Sequence, residues 1–283
     1  MYLIGALAMK KLWKKGSIFV ALILSVVSLA GCGAGAGSGD KTEQTAISVG
    51  VTAGPHAEIM EVVKKVAQKD GLDIKIVEFS DYIQPNVALS NGEIDANVYQ
   101  HKPFLDAQIA DRGYKFDVIG KSVIFPMGLY SQKVKSLSDI KENAIVGIPN
   151  DPTNGGRALV LLQSAGLLKL KDNIAAERAT VADIVENPKK LQIKELEAAQ
   201  LPRALADMDF AAINTNYAIP AGLSPTENAL FLESGESPYA NVIVARSEDK
   251  DKAALQKLVK AYNSDEVKQF VQEHFKGSAT PAW

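Results

Sequence analysis

The chain is poor in the residues most often used for chemistry: one cysteine and three histidines in 283 residues. A sole cysteine excludes any disulfide within the chain. His56, His101 and His274 show no paired metal-ligand spacing. His-Glu-x-x-His and Gly-x-Ser-x-Gly patterns are absent, so no zinc-hydrolase or nucleophile-elbow signature is offered. Basic residues do not exceed acidic ones, 31 against 33, which leaves no electrostatic footprint for nucleic acid. Carboxylate pairs such as Glu195/Glu197 and Asp207/Asp209 lie in polar stretches. They keep open the alternative of a hydrolase built on Asp or Glu. No metal, no cofactor and no catalysis are expected.

A long hydrophobic run is also missing. The longest apolar or small stretch, Gly16–Ala30, falls short of the roughly 20 residues that span a bilayer. It follows Lys10, Lys11, Lys14 and Lys15, which is the layout of an export signal. The stretch ends in Leu29-Ala30-Gly31-Cys32, which resembles the bacterial lipobox, where the cysteine is lipidated and becomes the mature N-terminus. Residues 1–31 are therefore expected to be a signal peptide. Residues 32–45, rich in glycine and polar residues, would be a lipidated tether. Two or three acyl chains, unlike one, hold a protein stably on a membrane, so the chain is expected on the extracytoplasmic side of a bacterial envelope. Removing residues 1–31, with four lysines and no acid, takes the formal net charge from −2 to −6.

Beyond the tether, strands and helices alternate. Strand-like runs are Ile47–Val51, Asp73–Phe79, Ile94–Tyr99, Phe116–Ile119 and Val123–Tyr130. Helical spacing joins Ile59, Val62, Val63 and Val66 after Pro55. A second set follows: strand Ala144–Ile148, helix Gly156–Ala165, strand Leu191–Leu196, a short helix Leu201–Ala206, and strands Phe210–Ile213 and Asn241–Ala245. Two helices, Lys252–Tyr262 and Asp265–His274, close the chain. Alternation of this kind predicts α/β architecture with largely parallel sheets. Two sets joined near Val123–Tyr130 and Asn241–Ala245 predict two lobes, 46–128 plus 241–283 and 129–240, with a ligand between them. A single doubly wound sheet fits the same periodicity.

The richest candidate stretch is Pro149-Asn-Asp-Pro-Thr-Asn-Gly-Gly-Arg157, after a strand and at the opening of a helix. A helix N-terminus suits an anion, and two glycines allow close approach of a ligand. Arg157 in a first turn is locally disfavoured, because cations prefer the other end of a helix. It is either a surface arginine or one committed to a carboxylate, which its planar fork grips in bidentate fashion. Replacing it with alanine is expected to weaken binding and leave folding largely intact. Asn214 and Asn241 each read as a helix cap or turn residue, or as a binding amide. Tyr82, Tyr99, His101 and Phe125 read as core, or as the lining of an apolar pocket.

Several ordered blocks carry a resemblance. They are residues 79–89, Asp95-Ala-Asn-Val-Tyr-Gln-His-Lys-Pro-Phe-Leu105, Pro149–Leu159, Val185-Glu-Asn-Pro188, Ala211–Tyr217 and Glu236-Ser-Pro-Tyr-Ala-Asn241. Together they closely resemble the methionine-binding lipoproteins of the NLPA type, from the lipobox to Trp283. The resemblance implies a two-lobed periplasmic-binding-protein fold (type II-like). It implies a monomer that hands methionine to an ABC permease driven by a cytoplasmic ATPase. It places Arg157 on the ligand carboxylate with Asn154 and Asn214 nearby, and Asn241 at the amino group. Tyr82, Tyr99, His101 and Phe125 would surround the thioether. Relatives in such a family bind other amino acids or small dipeptides, which remain alternatives.

Overall fold

A computed structural model describes residues 45–234 and 238–283. Cys32 and the signal segment lie outside the described residues, as do Glu236 and Ser237. The first lobe runs β1 (Thr45–Thr52), α1 (Pro55–Lys69), β2 (Leu72–Phe79), α2 (Gln84–Ser90), β3 (Ala96–His101), α3 (Lys102–Arg112), β4 (Phe116–Lys121) and the short β5 (Val123–Ile124). The second runs β6 (Gly128–Tyr130), β7 (Ile145–Pro149), α4 (Pro152–Ser164), the pair β8 (Lys169–Leu170) and β9 (Ile184–Glu186), β10 (Gln192–Leu196), α5 (Leu201–Ala204), β11 (Phe210–Ile213), α6 (Thr215–Ala218) and β12 (Phe231–Leu232). The chain then returns as β13 (Asn241–Arg246), α7 (Ala253–Tyr262), α8 (Asp265–Phe275) and β14 (Thr280–Pro281).

Each lobe is built on a five-stranded sheet, ordered β2-β1-β3-β13-β4 in the first and β10-β7-β11-β6-β12 in the second. These sheets are mixed rather than largely parallel. β1 runs parallel to β2 and β3, while β13 is antiparallel to β3 and β4. In the second lobe β7 is parallel to β10 and β11, while β6 is antiparallel to β11 and β12. The physical reason is the same in both: β13 and β6 arrive from the other lobe and so enter their sheets from the opposite end. The run Val123–Tyr130, expected as one strand, is two. β5 pairs with β14, β6 joins the second sheet, and Phe125–Met127 makes the crossing between them.

Packing follows amphipathic spacing. α1 buries Ile59, Met60, Val63 and Ala67 in the same core as the interior strand β1, whose Ile47, Val49 and Val51 are buried too. The C-terminal helices complete this core with Leu255, Leu258, Val267, Val271 and Phe275. Fully burying such a side chain is worth about 1.5–3 kcal/mol, which ties the end of the chain to its beginning. The second lobe has its own core, with Val146, Ile148, Leu159, Leu162 and Phe210 at its centre.

The helix expected at Gly156–Ala165 begins at Pro152, capped by Asp151, whose side chain accepts from the Asn154 backbone N–H. The helix end is thus satisfied by the chain's own carboxylate rather than left open to an anion. Arg157 consequently lies in the second turn, not the first. The paired glycines answer a packing need. A Cβ on Gly156 would overlap the Ala176 carbonyl oxygen, and one on Gly155 would lie 2.8 Å from the Pro149 oxygen. They let α4 dock against its own lobe, and neither lines the cleft.

Candidate functional site

The carboxyl ends of β1, β3, β7 and β11 and the start of β13 converge between the lobes. They line a small cavity between the lobes, the usual place for a ligand in such folds. All eight residues singled out in the sequence as ligand-binding line it: Arg157, Asn154, Asn214, Asn241, Tyr82, Tyr99, His101 and Phe125. His56, Gln100, Phe104, Thr215 and Asn216 complete the wall.

Arg157 is 4% exposed. Its Nε donates to Glu233 Oε1 at 2.9 Å, and its Nη2 donates to Glu233 Oε2 at 2.5 Å and to the Phe125 carbonyl at 2.9 Å. The Tyr239 ring lies 4.2 Å beneath the guanidinium carbon. Nη1 has no hydrogen bond among the described residues, and it is the part of the fork left for a ligand. The charge is therefore fixed and already paired within the second lobe. Removing one partner of such a buried pair costs about 3–5 kcal/mol because the other is stranded. Arg157→Ala is then expected to destabilise the fold, whereas the sequence led us to expect folding largely intact.

Asn214 occupies the N-cap position of α6, yet its side chain makes no cap bond. Its Nδ2 donates to Asn154 Oδ1 at 2.8 Å, and its own Oδ1 is buried without a partner. Asn154 in turn donates from Nδ2 to both oxygens of Asp151. This lock leaves Asn154 Oδ1 as acceptor and Asn214 Oδ1 as an unused one. Asn241 opens β13 opposite His101. It is 6% exposed, and its side-chain amide makes no hydrogen bond among the described residues. A guanidinium N–H together with an amide acceptor suits the two ends of a zwitterion.

His101 caps α3: its Nδ1 accepts from the Phe104 N–H at 3.1 Å. The remaining proton therefore sits on Nε2, which donates across the cleft to Asn154 Oδ1 at 3.1 Å. Burial, with the Arg157 charge beside it, pushes His101 down to about 3. Burial pushes His56 down to about 3 as well. Both rings are neutral at ordinary pH.

Tyr82, Tyr99 and Phe104 form an aromatic cluster, with Tyr82 and Tyr99 centroids 6.0 Å apart and Tyr82 and Phe104 5.9 Å apart. The Tyr99 hydroxyl donates to the Tyr82 carbonyl, and burial raises both phenols well above their ordinary pKa. Behind this wall, Asn86, Asn97 and Gln100 satisfy one another's amides at 2.8–2.9 Å. Such a closed polar network rigidifies what it supports.

The lobes are closed on one another. The Tyr82 hydroxyl donates to Asn216 Oδ1 at 2.6 Å, and the Tyr217 hydroxyl donates to the Ser80 carbonyl at 3.3 Å. Asn216 Nδ2 reaches Thr52 Oγ1 at 3.4 Å, and the rings of Tyr82 and Tyr217 lie 4.9 Å apart. Sequence reasoning missed His56, Glu233, Asn216 and the amide network. His56 follows Gly54-Pro55 at a helix start, a signal that was visible. Glu233 sits in a polar stretch and carries no local signal at all.

Two α/β lobes closed on a cavity that presents a fixed cation, unused amides and an aromatic wall define a substrate-binding protein of the periplasmic kind. The chain belongs to the NlpA lipoprotein family, whose sequence model matches residues 47–283. It is 47% identical over 267 residues to the D-methionine-binding lipoprotein MetQ of Escherichia coli (strain K12), covering 93% of this chain and 96% of that one. Among solved structures it is similar to a nutrient binding protein from Burkholderia cenocepacia bound to methionine. That likeness has 54% identity and a TM-score of 0.82, over 84% of this chain and 100% of the other. It is also similar to an ABC transporter periplasmic substrate-binding protein from Coxiella burnetii, at 51% identity and a TM-score of 0.80, over 83% and 100% of the two chains.

Proposed function

We propose that this protein captures methionine between its lobes and delivers it to an ABC importer. Residues 1–31 would act as an export signal, Cys32 as the site of lipid attachment, and residues 32–45 as the tether. The lobes would divide as 46–128 plus 241–283 and 129–240. The observation that carries this reading is the pairing, in one enclosed cavity, of a buried guanidinium with an open Nη1 and the unpartnered acceptor Asn214 Oδ1. The carboxylate of the amino acid goes to Arg157. Its ammonium goes to Asn214 with Asn241, beside Asn154, and its side chain lies among Tyr82, Tyr99, His101 and Phe125. The relatives named above, two of them tied to methionine, favour this cargo.

Contacts from both lobes make the ligand bind the closed form better than the open one. That differential affinity is what shifts the population toward closure. A permease that engages the closed pair of lobes, as a monomer on its tether, then receives loaded protein selectively. No bond of the cargo is made or broken in this scheme.

The test is a thermal-shift and calorimetric screen of the mature chain against D- and L-amino acids and dipeptides. A ligand at 100 times its Kd adds about 2.7 kcal/mol of stability. Methionine should give the largest shift and be recovered unchanged. A cleaved product would favour a hydrolase instead. A dipeptide is the second reading, favoured by an adjoining cavity lined by Asp81, Asn150, Asp151 and Glu197 that shares Tyr82 and Phe104 with the first. A larger shift with a methionine-containing dipeptide than with methionine would select it. Cys32→Ser should move the protein from the membrane fraction to the soluble one.

A further inference from the structure

The cavity holds one polar group that the head of an amino acid does not use. His56 is 2% exposed, and its Nε2 has no hydrogen-bond partner among the described residues. Its other nitrogen, Nδ1, lies 2.8 Å from Thr52 Oγ1. That hydroxyl already accepts from Asn216 Nδ2 at 3.4 Å, and Asn216 is oriented by the Tyr82 hydroxyl donating to its Oδ1 at 2.6 Å. The oxygen keeps a second lone pair, but a ring that donated from Nδ1 would leave the Thr52 proton without an acceptor among the described residues; with the hydroxyl donating to Nδ1 both groups are satisfied. With Nδ1 accepting, the neutral ring carries its hydrogen on Nε2. The relay passes from the first lobe to the second and back, so this donor is set in the closed form.

His56 stands at the start of α1 in the first lobe, whereas Arg157 stands on α4 and Asn214 at the cap of α6, both in the second. The ring stands edge-on to Phe125 at 4.9 Å, as part of the aromatic wall. Arg157 Nη1 and the amides of Asn214 and Asn241 account for the carboxylate and ammonium of the cargo. The His56 N–H is what remains for its side chain.

We propose that His56 is a specificity-determining residue that donates from Nε2 to the heteroatom of the cargo side chain. In methionine that atom is the thioether sulfur. The inference rests on the methionine reading and deepens it: the pocket selects a side chain bearing an acceptor over an all-carbon one of the same shape. Contact of sulfur with the aromatic wall adds to the same preference, so the share carried by His56 is the share lost when its N–H is removed.

The experiment is calorimetry with L-methionine and L-norleucine, in which a methylene replaces the sulfur, on the wild-type chain, His56→Phe and His56→Gln. A hydrogen bond of ordinary net strength gives the wild type a preference for methionine of about fivefold. His56→Phe should lower the ratio, leaving only the sulfur–aromatic share, and His56→Gln, which keeps an N–H donor, should retain part of it. A ratio that His56→Phe leaves at its wild-type value, or a wild-type ratio already near one, overturns the role of His56. A wild-type chain that binds neither ligand overturns the methionine reading itself. Should His56→Phe not fold, nitrogen-15 spectra of the wild-type histidines decide. Methionine must shift the His56 Nε2–H resonance and norleucine must not, and equal shifts overturn the proposal.

Discussion

The two lobes contribute opposite chemistry to the same cavity. The first supplies Tyr82, Tyr99, Phe104 and the neutral rings of His56 and His101. The second supplies Arg157 with its Glu233 partner, and the amides of Asn154 and Asn214. One half is an apolar wall propped by a buried amide network, and the other is a fixed charge with its counter-charge already in place. A zwitterion with an apolar tail satisfies both only when they meet. The division gives cargo a means of favouring closure: neither half alone is complementary to it.

The largest effect expected is from Arg157→Ala. Loss of a charge-assisted contact should weaken methionine binding at least about 100-fold in calorimetry. Stranding Glu233 should lower stability by about 3 kcal/mol in urea unfolding. The double variant Arg157→Met, Glu233→Leu should regain stability without regaining binding. Recovery of wild-type affinity in that variant would break the assignment of the cargo carboxylate to the second lobe.

Acid should strike the first lobe. His56 and His101 fall from 6.5 unfolded to about 3 folded, so below pH 6.5 the unfolded chain binds more protons. Their stabilisation is complete above pH 6.5 and is lost as pH falls from there toward 3. At pH 5 the loss is about 2 kcal/mol for each ring. Hydrogen exchange at pH 5 against pH 7.5 should show β1 and β3 losing protection before β7 and β11, and the reverse order would contradict the contrast.

Asn97→Ala removes a member of the amide network that the second lobe lacks. It should cost about 2 kcal/mol, since Asn86 and Gln100 lose buried partners. Tyr82→Phe deletes a single hydrogen bond between the lobes. It should raise the Kd for methionine about threefold to fivefold with little change in the melting temperature of the unliganded chain. The smallest effect belongs to Lys102→Ala. Its bridge to Asp106 joins side chains more than half exposed, and its loss should change stability by less than about 0.5 kcal/mol.

Much of the scaffold was legible in the chain. β-branched runs, Pro55 at a helix start and helical spacing in α1, α7 and α8 are local signals, and the elements fall close to where these put them. Errors arose where a contact outside the segment decides. Val123–Tyr130 has strand composition throughout, but β14 claims one end and the second sheet the other. Gly155 and Gly156 read as room for a ligand, whereas their neighbours are Pro149 and the distant Ala176. Arg157 stands out in the sequence for a first-turn position, yet the helix starts earlier and places it in the second turn. Its true partner, Glu233, is 76 residues away and announces itself by no pattern.

By itself the sequence determined where strands and helices lie and that they alternate in two sets. These follow from side-chain periodicity and local backbone preference, which act within a few residues. Only the tertiary structure decided that the sheets are mixed, that Arg157 is held by Glu233, and that two histidines are neutral and differently employed. Those outcomes depend on burial and on partners brought from the other lobe, and a carboxylate or a ring acquires its charge state and its role from what surrounds it in space.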